Sequence, residues 1–116
     1  MTTDLGELRR AAAGLHLPGS PVPLEVFDWT SLTDAEPSDA AVLELAGFPP
    51  GAPVKRQAVD ELFRGLGGRF DGLLGVLRKQ LRDLRVYRVG GEHPEVLIAG
   101  RTDEGSWAGL RALPGA

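Results

Sequence analysis

Cysteine is absent from the 116-residue sequence, and histidine occurs only twice. Without a thiol there is no disulfide scaffold, zinc ribbon, thiol nucleophile or iron–sulfur site. Long apolar runs are missing too, and none approaches the roughly 20 residues of a membrane-spanning helix, so no integral membrane protein is expected. The start, Met1-Thr2-Thr3-Asp4-Leu5-Gly6-Glu7, has neither the basic n-region nor the apolar h-region of a signal peptide. The expected address is therefore cytoplasmic. With 42% hydrophobic and 25% charged residues, the composition is that of a soluble globular chain. Its length suits one domain with one core over residues 1–116, because two domains would each bury too little surface.

Charge of one sign is scarce in the total but not in the halves. The formal net charge is -3. Residues 1–54 hold eight acids and two bases, and residues 55–116 hold eight acids and eleven bases. A weakly acidic total argues against general nucleic-acid binding, which rests on neutralising phosphates. The acidic half either attracts a basic partner or is a solvated face.

Hydrophobic spacing predicts a helix over Asp4–Leu15, with Leu5, Leu8, Ala12 and Leu15 on one face and acids near its positive end. The segment 17–23 carries three prolines and reads as a loop. Leu24–Trp29 alternates like a strand. Pro37–Ala46 reads as a short helix stopped by Gly47, Val54–Ala58 as extended, and Val59–Arg64 as a short helix. The clearest helical stripe, Phe70, Leu73, Leu74, Leu77, Leu81 and Leu84, predicts a helix over about Arg69–Leu84. Strand-like runs follow at Val86–Val89, Val96–Ala99 and Ser106–Leu113, joined by Gly- and Asp-containing turns, which implies an antiparallel meander. Helices and strands without βαβ alternation give an α+β class, with helices covering the sheet.

The chemistry-bearing motifs are weak. Gly65-Leu66-Gly67-Gly68 lacks the Lys-Ser/Thr of a phosphate loop and reads as a flexible helix-leading loop. His16 and His93 have no metal-ligand spacing. In Gly105-Ser106-Trp107-Ala108-Gly109 the serine is one position away from a nucleophile elbow, so the segment reads as a strand leaving a turn. Asp60, Glu61 and Asp71 do not pair as acid and base by sequence. Arg78, Lys79, Arg82, Arg85 and Arg88 form the best basic cluster, the first four beside the leucine stripe, yet an amphipathic helix needs a polar face in any case. No interleaved aromatics support single-strand binding, and Trp29 and Trp107 read as sheet packing. No catalytic, cofactor or metal site is expected from these residues.

Two segments nevertheless resemble a known family. Pro23-Leu24-Glu25-Val26-Phe27-Asp28-Trp29 resembles the first strand of the nuclease A inhibitor-like family. Val86-Tyr87-Arg88-Val89-Gly90, followed by Val96-Leu97-Ile98-Ala99-Gly100-Arg101-Thr102-Asp103-Glu104-Gly105-Ser106-Trp107-Ala108-Gly109-Leu110, resembles its C-terminal meander. The leucine-rich helix and Ala52-Pro53-Val54-Lys55 fit the same order, so that the likeness runs from Leu5 to about Ala112. The resemblance implies an α-β-α sandwich of the PR-1-like type. It also implies a non-enzymatic, acidic inhibitor, monomeric when free. Its target would be a sugar-non-specific, metal-dependent endonuclease that cuts both DNA and RNA, bound one to one.

In the family the binding edge includes the loop before the first strand, the loop before the long helix, and a C-terminal tail whose terminal threonine reaches the nuclease metal. Carried onto this sequence, the edge comprises Gly19, Ser20, Arg64, Gly65 and the tail Leu113, Pro114, Gly115 and Ala116. The first loop here lacks an acid, the Arg64–Gly68 loop is shortened, and alanine stands at the final position. The alternative expectation is a non-catalytic interaction or regulatory module that kept the fold and lost nuclease binding.

Overall fold

A computed structural model of the chain describes residues 4–17, 23–33, 37–91 and 94–112. Helix α1 spans Leu5–Ala12, where the Asp4 side chain accepts a hydrogen bond from the Glu7 backbone N–H and so caps the first turn. It is shorter than its hydrophobic stripe suggests. Gly14 adopts a left-handed φ of +74°, so Leu15 lies beyond the helix rather than on it. Strand β1 is Glu25–Trp29. Helix α2, Asp39–Ala46, begins at Ser38, whose hydroxyl accepts from the Ala41 N–H, and stops at Gly47 in the left-handed region. Strand β2 is Val54–Gln57 and α3 is Val59–Arg64.

A single 3-10 turn, Gly68–Phe70, leads into α4 at Asp71–Gln80. The helix predicted to reach Leu84 therefore ends earlier: Leu81 is already extended, and Leu84 belongs to strand β3, Arg82–Val89. The strands β4, Glu95–Arg101, and β5, Trp107–Ala112, complete the expected meander. The last predicted strand residue, Leu113, lies outside the described residues, as does His93.

The five strands form one antiparallel sheet in the order β1-β5-β4-β3-β2. Hydrophobic residues alternate along the strands but are buried on both sides. Val86, Val96, Ile98, Ala108 and Leu110 share one apolar cluster with Leu8 and Ala12 of α1, Leu62 and Phe63 of α3, and Leu73 and Leu77 of α4. Phe27, Trp29, Tyr87, Leu97 and Trp107 share a second cluster with Val42, Leu43 and Ala46 of α2. The class is thus α+β, an antiparallel sheet with four α-helices among the described residues. No helix among the described residues is long and apolar enough to cross a membrane. Strand β4 is buried from Glu95 to Gly100, as the central position requires.

Two glycines permit close approach, Gly109 between the neighbouring strands β5 and β4 and Gly100 between β4 and the chain entering β3. A Cβ at Gly109 would fall 1.8 Å from the Ile98 carbonyl oxygen, and one at Gly100 would fall 2.7 Å from the Leu81 Cβ. The β3–β4 register shifts between Arg82 and Arg85, and Asp83 within that irregularity holds a left-handed φ of 54°. A non-glycine residue is seldom found there, although aspartate tolerates it better than most.

Candidate functional site

The sheet has two distinguishable ends. At one, Glu25 of β1 pairs with Arg111 of β5, and Val96 of β4 pairs with Ala112. At the other, Trp29 pairs with Trp107 and Arg82 with Arg101. Helix α1 runs between them. Near its start, Asp4 N–H donates to Gln80 Oε1 at 2.7 Å, and Lys79 and Gln80 donate to the Glu7 carboxylate at 3.2 and 2.7 Å. Past its end, the Leu24 N–H donates to the Leu15 carbonyl at 2.9 Å, just before β1 begins.

Of the expected contact residues, Gly19, Ser20, Leu113, Pro114, Gly115 and Ala116 lie outside the described residues. Leu17 and Leu24 are buried on either side of 18–22, and both Glu25 and Ala112 stand at the first end of the sheet. Arg64 closes α3, and Gly65 follows it; both are exposed. Asp60 near the start of α3 pairs with Arg78 near the end of α4. The connection 65–70 therefore sits at the far end of this helix pair, about 15 Å along α4 from the point where the chain enters β3. Gly65 has an ordinary helical φ of -85°, whereas Gly67, at +80°, is the residue of this loop whose backbone calls for glycine.

The first end of the sheet is anchored by a buried ion pair. Glu95 is 1% exposed, and Arg111 Nε donates to its Oε1 at 2.5 Å, while an Arg111 Nη nitrogen reaches the same oxygen. A buried carboxylate must be compensated in this way, and the pair fixes β5 against the start of β4 immediately before the tail. Sequence reasoning missed it because Glu95 and Arg111 lie on different strands, and only the register of the meander brings them together.

The basic cluster read from the sequence does not form one stripe. Arg78 and Lys79 stay on α4, but Arg82, Arg85 and Arg88 lie on β3 because the helix stops at Gln80. Their charges are engaged: Arg78 with Asp60, Lys79 with Glu7, and Arg82 with Asp103. Arg85 stands 4.9 Å over the Trp107 ring, and Arg88 Nε donates to Gln57. Glu7 has a carboxyl held below its usual range, first by the Gln80 amide and then by Lys79. The two tryptophans are core residues, and Phe27 and Trp29 lie with ring centroids 4.3 Å apart.

Ser106 is buried, and its hydroxyl lies 3.0 Å from Thr102 Oγ1, so the Gly105–Gly109 segment is a turn feeding a strand. His16 is exposed in the coil after α1. Among the described residues, no group of three or more His, Asp or Glu side chains is arranged to hold a metal. The exposed acids Asp28 and Glu104 gather at the second end. There they line a hollow of about 380 Å³ with Leu5, Thr30, Thr33, Thr102 and Ser106. No local pattern announces that grouping, since its members come from α1, β1 and the segment after it, and the β4–β5 turn.

Residues 66–113 match the family model described as nuclease A inhibitor-like protein, the family that the strand and meander motifs resemble. The matched stretch spans the 3-10 turn, α4 and the whole β3–β4–β5 meander. No curated protein matches the chain.

Proposed function

We propose that this protein is a non-enzymatic inhibitor of a sugar-non-specific, metal-dependent endonuclease, binding it one to one and occluding its active-site groove. The observation that carries the reading is the family match over α4 and the meander. The contact edge in this proposal comprises Gly19, Ser20, Arg64, Gly65 and the tail Leu113–Ala116. Two features support that choice. The flanks of the first loop and of the tail share one end of the sheet, and the Glu95–Arg111 pair holds β5 to β4 just before residue 113. An acidic chain is also drawn to a basic nucleic-acid groove. We further propose that the α/β/α layering is of the PR-1-like type, that the protein acts in the cytoplasm, and that it is monomeric when free.

Titration of the purified protein into a panel of non-specific metal nucleases should abolish DNA cleavage near an equimolar ratio. Undiminished cleavage across the whole panel, including a nuclease from the same organism, would refute the proposal. Deleting Pro114–Ala116 tests the tail separately, because unaltered potency removes it from the contact. A second reading, a non-catalytic interaction or regulatory module, is favoured by one observation. Arg64 carries the sole charged side chain of the proposed edge and is cationic, while Asp28 and Glu104 face the other end. Capture of a non-nuclease partner from native lysate, with no nuclease recovered, would select the module.

A further inference from the structure

The β4–β5 turn builds a small pocket of about 160 Å³, lined by Arg82, Asp83, Arg101, Thr102, Asp103 and Gly105. It lies at the end of the sheet opposite the contact edge proposed above. Its polar groups are largely committed to one another. Arg82 pairs with Asp103 at 3.3 Å. The Thr102 hydroxyl is tied to Ser106, which donates its N–H to Thr102 Oγ1 at 3.2 Å, and the Gly105 N–H donates to the Thr102 carbonyl. Arg85, the next arginine along β3, donates Nε–H to the Asp83 carbonyl and stacks on Trp107.

Arg101 is the exception. It is partly buried, and its Nε is sealed from solvent with no hydrogen-bond partner among the described residues. A guanidinium carries five donors and keeps its charge at any ordinary pH. With Nε cut off from water, compensation falls to the terminal nitrogens. One of them, Nη2, faces the pocket: a Cβ on Gly105 would lie 3.9 Å from it. Glycine at 105 holds a φ of +86°, which disfavours any side chain there. Asp83 lines the same pocket but forms no ion pair with Arg101, and its left-handed backbone belongs to the register shift of β3.

We infer that this pocket is a binding site for a small monocarboxylate, gripped end-on by the Arg101 guanidinium with Arg82 at its rim. The charge balance selects the ligand. Arg82 is paired with Asp103, which leaves the Arg101 guanidinium and the Asp83 carboxylate; a planar single charge matches the arginine fork, whereas a phosphate dianion brings a second negative charge against Asp83. At about 160 Å³ the pocket is smaller than the roughly 300–1,000 Å³ of a drug-sized site, so only a small ligand fits.

Titrating isotopically labelled full-length protein with sodium acetate, and recording the arginine guanidinium resonances by NMR, tests the site. The expected result is a saturable, millimolar response of Arg101 that exceeds the response to inorganic phosphate and is absent with sodium chloride at equal ionic strength. Arg101→Gln should abolish it, and Arg82→Gln, at an exposed position, should weaken it several-fold. Arg101→Lys should retain part of it, which separates loss of the site from loss of the fold. A linear, unsaturating shift, an equal response to chloride, or tighter binding of phosphate would each overturn the assignment. None of these outcomes depends on nuclease inhibition.

Discussion

Alanine at position 109 should be among the most damaging single substitutions in this chain. The Cβ it adds would fall 1.8 Å from the Ile98 carbonyl oxygen and 2.9 Å from its carbonyl carbon, where 3.0 Å is the practical floor for such contacts. The obstacle is backbone in the central strand β4, so no side chain can swing aside, and β5 must draw away by about 1.2 Å. A ladder hydrogen bond of about 2.9 Å stretched by that distance passes ~4 Å and is lost. Two such bonds at about 1 kcal/mol each, with an overpacking cost of about 1–3 kcal/mol, give a loss of roughly 3–5 kcal/mol. For a urea slope of about 1–3 kcal/mol per molar, the midpoint should fall by roughly 2 M. The control has the opposite sign. Gly72 and Gly75 on α4 are exposed, and a methyl group added at either would meet nothing within 4 Å, so alanine at either should stabilise by about 0.5–1 kcal/mol. A Gly109→Ala midpoint within about 0.5 M of the parent would refute the packing argument.

Three further perturbations follow from the same contacts. Tyr87 is fully buried and its hydroxyl has no partner among the described residues, so Tyr87→Phe should leave stability unchanged or raise it by about 1 kcal/mol in urea denaturation. A loss of comparable size would mean that the hydroxyl is bonded. Glu95→Ala strands Arg111 and should cost about 3 kcal/mol, whereas Glu95→Leu combined with Arg111→Met should recover most of it; equal losses for both would exclude the ion pair as the cause. The Glu7 carboxyl is held below the ordinary value of 4.5, so its contribution to seating α1 on α4 is complete above that pH and disappears as pH falls through the lower folded-state value. Amide protection in α1, taken relative to the intrinsic exchange rate at each pH, should fall over that acid window before the sheet opens, and Glu7→Ala should remove that pH dependence.

The parts of the fold legible in the sequence are those written in short-range pattern. The Ser38 cap and Gly47 stop delimit α2, and the turns of the meander announce themselves through Gly90-Gly91 and Asp103-Glu104-Gly105. The end of α4 was not legible, because Leu77, Leu81 and Leu84 continue a helical spacing that a buried strand equally satisfies. Neither glycine nor proline marks the change at Leu81. For the site, Arg64 and Gly65 were legible as an exposed turn. The buried Glu95–Arg111 pair and the sealed Arg101 Nε were not, since each depends on which strands become neighbours. Counting basic residues along 78–88 misled for the same reason: Arg82, Arg85 and Arg88 of that run belong to the sheet.

The position of β1 has a consequence for the order of assembly. Among the described residues its only neighbour in the sheet is β5, and everything from α2 to β4 lies between the two in the chain. The α4–β3–β4–β5 portion closes through short connections and can organise as soon as it is synthesised, whereas β1 emerges early and holds an unmatched hydrogen-bonding edge until the last strand arrives. Registration of Trp29 on Trp107 is thus a late event. The signal specific to the Trp29–Trp107 pairing is expected to mark the completion of this protein. The interval before that signal is when a nascent copy is most exposed to wrong partners at its first strand.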